Sequence, residues 1–298
     1  MKQGKPSETA MRVATGIVAS RLDATLRPLF KDPEEPYLEW FINEHGEGAR
    51  RYLEAWKSNN QAPVMQFFRE QMAKGSTLFT LLRKLFIEEE ARQALSLGAT
   101  QLVVLGAGYD PLSMRLQKEF REARFYETDY PATQEVKRRA LVSRDALPPN
   151  LTLVPVDFDE ETAEERLLEA PGFDPEARGV FVCEGVLMYL KPEDAEAVFA
   201  SVRRLGGPGT RFLFTWLDRT ILENDPKAQN IAKVLNFHGE PLRSSYEPEH
   251  IADFLKEQGF KLLTLGDHEA LKRRFLDPHG ITRPVGKLEF AVLAEKKK

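Results

Sequence analysis

The sequence predicts an α/β fold in which a helical N-terminal region precedes a mostly parallel sheet. Two observations carry this prediction. Apolar residues within residues 1–97 recur at helical spacing, with the breaks KDPEEP and SNNQAP between the helical segments. After Gly98, short apolar strands alternate with helical segments, which is typical of a parallel sheet with helices on both faces. We therefore divide the chain into a helical cap, residues 1–97, and a sheet domain, residues 98–298.

The parallel part of the sheet is predicted from apolar runs in the second region. The predicted strands cover residues 101–106, 124–128, 151–155, 179–184 and 210–216. The predicted helices between them cover residues 111–121, 131–144, 160–169 and 192–205.

The C-terminal part of the sequence departs from this alternation. A helix, EPEHIADFLKEQGF, precedes two strands, KLLTLGD and KLEFAVLAEK, and no helical pattern follows the second strand. We expect these strands to add an antiparallel edge to the sheet. Residues 217–245 contain no predicted element, and a segment of this length in a compact domain is typical of a lid or binding loop.

The composition indicates an ordinary globular protein and argues against several kinds of partner. Hydrophobic residues make up 42% and charged residues 30% of the 298 residues, which is enough for a sizeable core. The net charge of -4 argues against nucleic acid as the main partner. No apolar run approaches the roughly 18 residues of a membrane span. A single cysteine, Cys183, and the lack of a zinc-binding spacing favour a reducing cytoplasm and no metal.

A glycine turn follows the first strand, at the edge where open parallel sheets bind ligands. Gly106, Ala107 and Gly108 allow a ligand to approach the backbone closely, and Asp110 and Pro111 then open a helix. Pro111 occupies the place of the third glycine in the dinucleotide-binding fingerprint. The turn therefore predicts a binding site without specifying a dinucleotide.

Acidic residues end the next three strands. Asp129, about 20 residues beyond the glycines, is placed to accept hydrogen bonds from ribose hydroxyls, or alternatively to cap the next helix. Asp157 and Phe158 suit the edge and face of a flat base, and a helix cap is again the alternative for Asp157. Glu184 ends an apolar strand, where an unpaired carboxylate is costly.

These groups together suit a ligand with a ribose, a flat base and a positive charge. Glu184 favours an ammonium or sulfonium group over a phosphate. The glycine turn contains no basic side chain that could meet a pyrophosphate. The pattern therefore favours S-adenosylmethionine over NAD as the cofactor.

Five segments occur in order between about Arg83 and the C-terminus: VVLGAGYDPLSMRL, FYETDYPATQEVK, PVDFDEE, CEGVLMYL and GEPLRSSYEPEHIADFLKEQGF. Together they resemble the leucine carboxyl methyltransferase family, especially its bacterial branch of S-adenosylmethionine-dependent O-methyltransferases related to polyketide tailoring. The chain has Asp110-Pro111 where the family usually has Asp-Thr. The resemblance implies a Rossmann-like class I methyltransferase domain, with a seven-stranded, mostly parallel sheet, an antiparallel last strand and a helical N-terminal cap.

The resemblance also implies roles for the residues that match the family's pattern. Arg83 in LLRKLF resembles the arginine that pairs with the methionine carboxylate, although a solvated position on a helix face is the alternative. Gly106 and Gly108 line the same end of the cofactor. The remaining implied roles are ribose binding for Asp129, adenine binding for Asp157 and Phe158, and a position near the methionine amino group for Glu184.

The acceptor side is less well defined by the sequence. Its candidate catalytic residues are Tyr189, His238, Glu240 and Arg243, of which Arg243 could hold an anionic substrate through a bidentate contact. A carboxylate acceptor is already ionised at neutral pH, whereas a hydroxyl acceptor benefits from a general base. We expect the acceptor to be a small molecule or a C-terminal carboxylate.

Two other classes of protein remain open at this point. An NAD-dependent oxidoreductase would use the same sheet and the same acidic ribose ligand. The missing third glycine and Glu184 disfavour it. A non-catalytic regulatory protein that binds S-adenosylmethionine would keep the binding residues without turnover.

Overall fold

The computed structural model describes residues 4–58, 75–157, 160–237 and 240–297. Two of the predicted site residues, Phe158 and His238, lie outside the described residues.

Seven strands form a single sheet in the order β3-β2-β1-β4-β5-β7-β6. They are β1 Gln101–Leu105, β2 Arg124–Asp129, β3 Leu151–Pro155, β4 Gly179–Cys183, β5 Arg211–Leu217, β6 Phe260–Gly266 and β7 Glu289–Lys296. Strands β1 to β5 pair in parallel, and β7 pairs antiparallel with both β5 and β6. This arrangement confirms the mostly parallel sheet with an antiparallel last strand.

Helices precede the sheet and connect its strands. Before β1 they are α1 Glu8–Leu22, α2 Tyr37–His45, α3 Glu47–Lys57 and α4 Ser76–Ser96. Between the strands they are α5 Leu112–Leu116, α6 Pro131–Val142, α7 Ala163–Leu168, α8 Pro192–Arg204, α9 Arg219–Asn224, α10 Pro226–Phe237, α11 Ile251–Glu257 and α12 His268–Phe275. Among the described helices, none combines the length and apolar character needed to cross a membrane.

The core lies on both faces of the sheet, because alternate residues of a strand point to opposite faces. In β1, Leu102 and Val104 pack with Phe41 of α2 and Phe86 of α4. Val103 packs on the other face, with residues of α8 and α11. The N-terminal helices therefore share a core with the sheet, and the apolar contacts continue across the predicted boundary at residue 97.

The segment predicted as a lid or binding loop, residues 217–245, for which no element was predicted, contains the helices α9 and α10. Asp218 starts α9 by accepting a hydrogen bond from the Ile221 backbone N–H at 3.1 Å, and Pro226 is the first residue of α10. These two local signals explain the difference from the prediction.

Two further differences concern helices near strand ends. Helix α5 covers only Leu112–Leu116 of the predicted residues 111–121, and Pro111 precedes it rather than forming its first residue. Helix α12 was not predicted; Asp267 caps it by accepting a hydrogen bond from the Ala270 N–H at 2.7 Å.

Candidate active site at the carboxyl ends of the parallel strands

The glycine turn follows β1 and is hydrogen-bonded to the neighbouring strand β2. Gly106 and Gly108 have φ angles of 70° and 50°, a left-handed conformation that favours glycine. The backbone N–H groups of Gly106 and Ala107 both donate to the Thr128 carbonyl, at 2.9 and 3.0 Å. A Cβ atom at Gly106 would lie 2.5 Å from Cγ2 of Val186, so the turn requires glycine there for packing as well as conformation.

Asp129 ends β2 and contacts this turn. Its Oδ2 accepts the Gly108 N–H at 2.6 Å, and its Oδ1 accepts the Tyr130 N–H at 2.7 Å. It makes no N-terminal cap for α6, whose preceding residue, Tyr130, has no capping side-chain bond. Burial raises the pKa of Asp129 to about 6, although the two backbone hydrogen bonds oppose this shift. The structure therefore places an acidic group beside the glycine turn, as the sequence predicted.

A cluster of charged side chains surrounds the end of β4, and we call it the charged cluster. It consists of Arg83, Lys84, Asp110, Glu184 and Glu289. Arg83 donates from Nε to Glu184 at 2.8 Å and from another guanidinium nitrogen to Glu289. The Nζ of Lys84 lies 2.6 Å from Oδ2 of Asp110 and 3.0 Å from Oε1 of Glu184. The cluster thus joins helix α4 to the ends of β1 and β4 and to the start of β7.

The members of the charged cluster stabilise one another's ionised forms. Burial opposes the charge on Arg83, but the carboxylates of Glu289 and Glu184 outweigh it and raise the pKa of Arg83. Burial likewise favours neutral Asp110, but Lys84 and Arg115 hold the pKa of Asp110 below its usual range. With three carboxylates and two cations, the charged cluster has a net negative charge.

Sequence reasoning missed two members of the charged cluster. Lys84 follows Arg83 directly, and two adjacent cations in an otherwise apolar helical segment were the available signal. Glu289 is the first residue of β7. Because β7 runs antiparallel, Glu289 pairs with Leu217 at the carboxyl end of β5 and so reaches the ligand edge of the sheet.

The part of the site predicted to bind adenine lies only partly within the described residues. Asp157 follows β3; its N–H donates to Glu161 at 3.1 Å, and its carbonyl accepts from the Glu160 and Glu161 N–H groups at 2.9 Å. Helix α7 is capped by Thr162 and not by Asp157. Adenine binding by Asp157 and Phe158 remains a prediction.

The described candidate acceptor residues, Tyr189, Glu240 and Arg243, lie where residues 240–245 pack against the turn after β4. The Arg243 N–H donates to the Met188 carbonyl at 2.8 Å, which places this segment beside Tyr189. Burial, assisted by the carboxylates of Glu240 and Glu289, raises the pKa of Tyr189, so its hydroxyl stays protonated at neutral pH. The side chain of Arg243 is exposed. Tyr189 and Glu240 therefore come together, and the surroundings of Tyr189 are acidic.

The start of helix α1 covers the glycine turn, which the sequence did not predict. The Ser7 N–H donates to Oγ1 of Thr133 on α6 at 3.0 Å. The hydroxyl of Thr9 donates to Glu240. A Cβ atom at Gly108 would lie 3.2 Å from Cβ of Ala10. The N-terminal helix therefore closes one side of the candidate site.

Comparison with known families agrees with this geometry. The profile of the family described as leucine carboxyl methyltransferase matches residues 10–203, more than half of the chain. The chain belongs to the leucine carboxyl methyltransferase family. The match includes most of α1, the glycine turn and the charged residues up to Glu184, so the helices before β1 are part of the family's pattern.

Individual relatives of this chain have low sequence identity to it. One from Mycolicibacterium vanbaalenii is 29% identical over 297 residues, covering 96% of this chain and 94% of that protein. One from Bacillus subtilis is 28% identical over 183 residues, so the match covers only 60% of that protein's length and 60% of this chain. Both carry the provisional description of S-adenosyl-L-methionine-dependent methyltransferase.

One solved structure has a fold similar to that of this chain. A crystal structure from Thermobifida fusca, provisionally described as that of a methyltransferase, aligns with 100% of this chain and 97% of its own chain. The TM-score is 0.62 and the sequence identity 19%. At this identity the likeness shows that the two proteins share a fold, including the N-terminal helices.

Proposed function

We propose that the protein is an S-adenosylmethionine-dependent O-methyltransferase whose acceptor oxygen belongs to a carboxylate or a hydroxyl group. Methyl transfer and dependence on S-adenosylmethionine follow from the family and its relatives. The oxygen acceptor is the part that we add. The convergence of Asp129 and the charged cluster on the glycine turn supports the cofactor, and the position of Tyr189 beside Glu240 supports an oxygen acceptor.

The charges and hydrogen-bond acceptors of the site fit this cofactor. S-adenosylmethionine has a sulfonium, an ammonium and a carboxylate, so its net charge is positive and complements the net negative charge of the charged cluster. Asp129 is buried, and from the described residues its two carboxylate oxygens accept two backbone N–H bonds, which leaves lone pairs for ribose hydroxyls. Asp129 would hold the ribose, Glu184 the ammonium and Arg83 the carboxylate.

The bound cofactor supplies a methyl group that its sulfonium has already activated, so the protein's task is to position the acceptor and exclude water. The protonated Tyr189 hydroxyl can donate a hydrogen bond to an acceptor oxygen. A carboxylate acceptor needs no further help, because it is ionised at neutral pH. For a hydroxyl acceptor, Glu240 is the described candidate for a general base.

Ligand-induced stabilisation tests the cofactor. A ligand at a hundred times its dissociation constant stabilises the folded state by about 2.7 kcal/mol. We expect S-adenosylhomocysteine to raise the melting temperature and NADH to leave it unchanged. Stabilisation by NADH alone would instead support the oxidoreductase.

Turnover with paired acceptors tests the oxygen chemistry. We would supply radiolabelled S-adenosylmethionine with a panel that contains each acceptor as its carboxylic acid, its alcohol or phenol, and its amine. Label transfer to an acid or an alcohol supports the proposal, and transfer to amines alone contradicts it. Binding of S-adenosylhomocysteine without any transfer would favour the regulatory alternative.

A further inference from the structure

We propose that Lys84 is a positioning residue for the cofactor, which fixes the Glu184 carboxylate in the orientation that binds the ammonium of the methionine end. The inference rests on the proposed function, since it concerns the same site. It adds a residue to which neither the sequence pattern nor the family match assigns a role.

The first reason is that two cations hold Glu184. Arg83 and Lys84 are consecutive on α4, and consecutive helical side chains point about 100° apart. Nevertheless, Nε of Arg83 and Nζ of Lys84 lie 2.8 and 3.0 Å from the same oxygen of Glu184. Nζ of Lys84 also donates to the other oxygen, Oε2, at 3.1 Å. With Lys84 on both carboxylate oxygens and Arg83 on one of them, rotation of the carboxylate is more restricted than with either cation alone.

The second reason is that Lys84 is itself fixed to the glycine turn. Its Nζ lies 2.6 Å from Oδ2 of Asp110, whose Oδ1 accepts the Leu112 N–H at 2.9 Å. The carbonyl of Asp110 accepts a further bond from Nζ of Lys137 at 2.6 Å. Lys84 therefore connects the end of β4 to the turn after β1, the two backbone segments on either side of the proposed methionine site.

The third reason is that stability alone does not account for a lysine at this place. The Lys84 side chain is only 13% exposed, and replacing a buried ion pair by apolar groups is often neutral or stabilising. What an apolar residue cannot reproduce is the orientation of Glu184 and the charge balance around it. Without Lys84, Glu184 and Glu289 would share the single cation Arg83. Asp110 would lose its nearest cation and keep Arg115, 3.7 Å from its Oδ1.

Calorimetric titration of Lys84→Met with two ligands tests the inference. S-adenosylhomocysteine carries the amino-acid group, whereas 5′-methylthioadenosine shares its nucleoside and lacks that group. We expect the affinity for S-adenosylhomocysteine to fall about 10- to 100-fold, the range for one lost interaction with a charged group. The affinity for 5′-methylthioadenosine should change less than about twofold, within the ordinary effect of a distant substitution. Lys84→Arg should restore most of the loss, because it keeps the charge.

The control is Lys261→Met, the same substitution at an exposed lysine of β6. It should leave both affinities unchanged. If Lys84→Met unfolds at the assay temperature, Lys84→Gln is titrated with the same two ligands. Equal losses for both ligands, or no loss for S-adenosylhomocysteine, would overturn the inference. If the wild-type protein binds neither ligand, the proposed function fails instead.

Discussion

At the scale of single residues, Asp129 has the property that is easiest to test in solution. Burial raises its pKa to about 6, and its ionised form is the stronger acceptor for ribose hydroxyls. We therefore expect the affinity for S-adenosylhomocysteine to fall as the pH is lowered from 7.5 to 5, with a midpoint at about 6. Calorimetric titration at a series of pH values measures this, and Asp129→Asn should remove the midpoint.

The Asp129 carboxyl group should also make the ligand-free protein less stable as the pH rises. Its pKa in the fold, about 6, exceeds the ordinary value of 3.8, so the folded state binds more protons between these values. Its contribution to stability is fully present below pH 3.8 and is lost as the pH rises through 6. The free energy of unfolding of the wild type, relative to Asp129→Asn, should decrease by about 2 kcal/mol between pH 4 and 7. Urea unfolding measures this, and a difference independent of pH would contradict it.

Gly106 gives a prediction about the turn. Gly106→Ala forces a left-handed conformation on a residue with a Cβ atom, which costs roughly 1–2 kcal/mol, and adds the contact with Val186. Gly98→Ala is the control, because Gly98 also has a positive φ, 95°, but open space around it. In urea unfolding, Gly106→Ala should lower the free energy of unfolding more than Gly98→Ala does. Combining Gly106→Ala with Val186→Ala should reduce the difference between the two glycine variants. Equal losses at the two glycines would show that packing plays no part.

The individual residues differ in how far the sequence could predict them. Asp129 and Glu184 were predictable because Asp129 ends one strand and Glu184 directly follows another, which is a local signal. Lys84 and Glu289 were not, because their partners are distant in the sequence. Lys84 is 100 residues from Glu184, and Glu289 is 206 residues from Arg83. Contacts of this kind depend on the order of the strands, which no local pattern encodes.

At the scale of elements, strand β2 and helix α6 are joined by a buried ion pair. Nζ of Lys137 lies 2.5 Å from the Glu127 carboxylate, and both side chains are 1% exposed. Lys137→Met should destabilise the protein by about 3–5 kcal/mol, because it leaves a buried carboxylate without its cation. Adding Glu127→Leu should recover most of that loss. Urea unfolding measures both variants, and a double variant no more stable than the single one would contradict the explanation.

The elements themselves followed from the sequence to different extents. Strands β1 to β5 were predicted within a residue or so, because short apolar runs between turn residues leave few alternatives. Helices α9 and α10 were missed, although Asp218 caps the first and Pro226 begins the second, because a segment of this length is typical of a loop. The position of α1 over the glycine turn depends on contacts with Thr133 and Glu240, more than a hundred residues away, and no local pattern predicts it.

At the scale of the whole molecule, we expect the helical cap and the sheet to unfold together. Apolar residues of α1, α2 and α4 belong to the same core as those of β1 and β2. Trp40 and Trp56 report on the cap, and Trp216 reports on β5. Trp216→Phe and the double variant Trp40→Phe/Trp56→Phe should each give a single urea transition by fluorescence that coincides with circular dichroism. Two separated transitions would support independent folding of the predicted cap, residues 1–97.

The overall architecture was predictable as a class, and the arrangement within it only partly. Alternating strands and helices predicted the parallel sheet, and the final strand pair predicted the antiparallel edge. The insertion of β7 between β5 and β6 was not predicted, because periodicity does not specify which strands are neighbours.

This insertion has a consequence for synthesis on the ribosome. Strand β7 is translated after every other described strand, yet it supplies the pairing for one edge of β5 and for β6. Until residues 289–296 emerge, the largely apolar strand β5 presents an open edge to other nascent chains, and such edges promote incorrect association. We therefore expect folding to finish only after translation of the final strand, with the greatest need for chaperones just before that point.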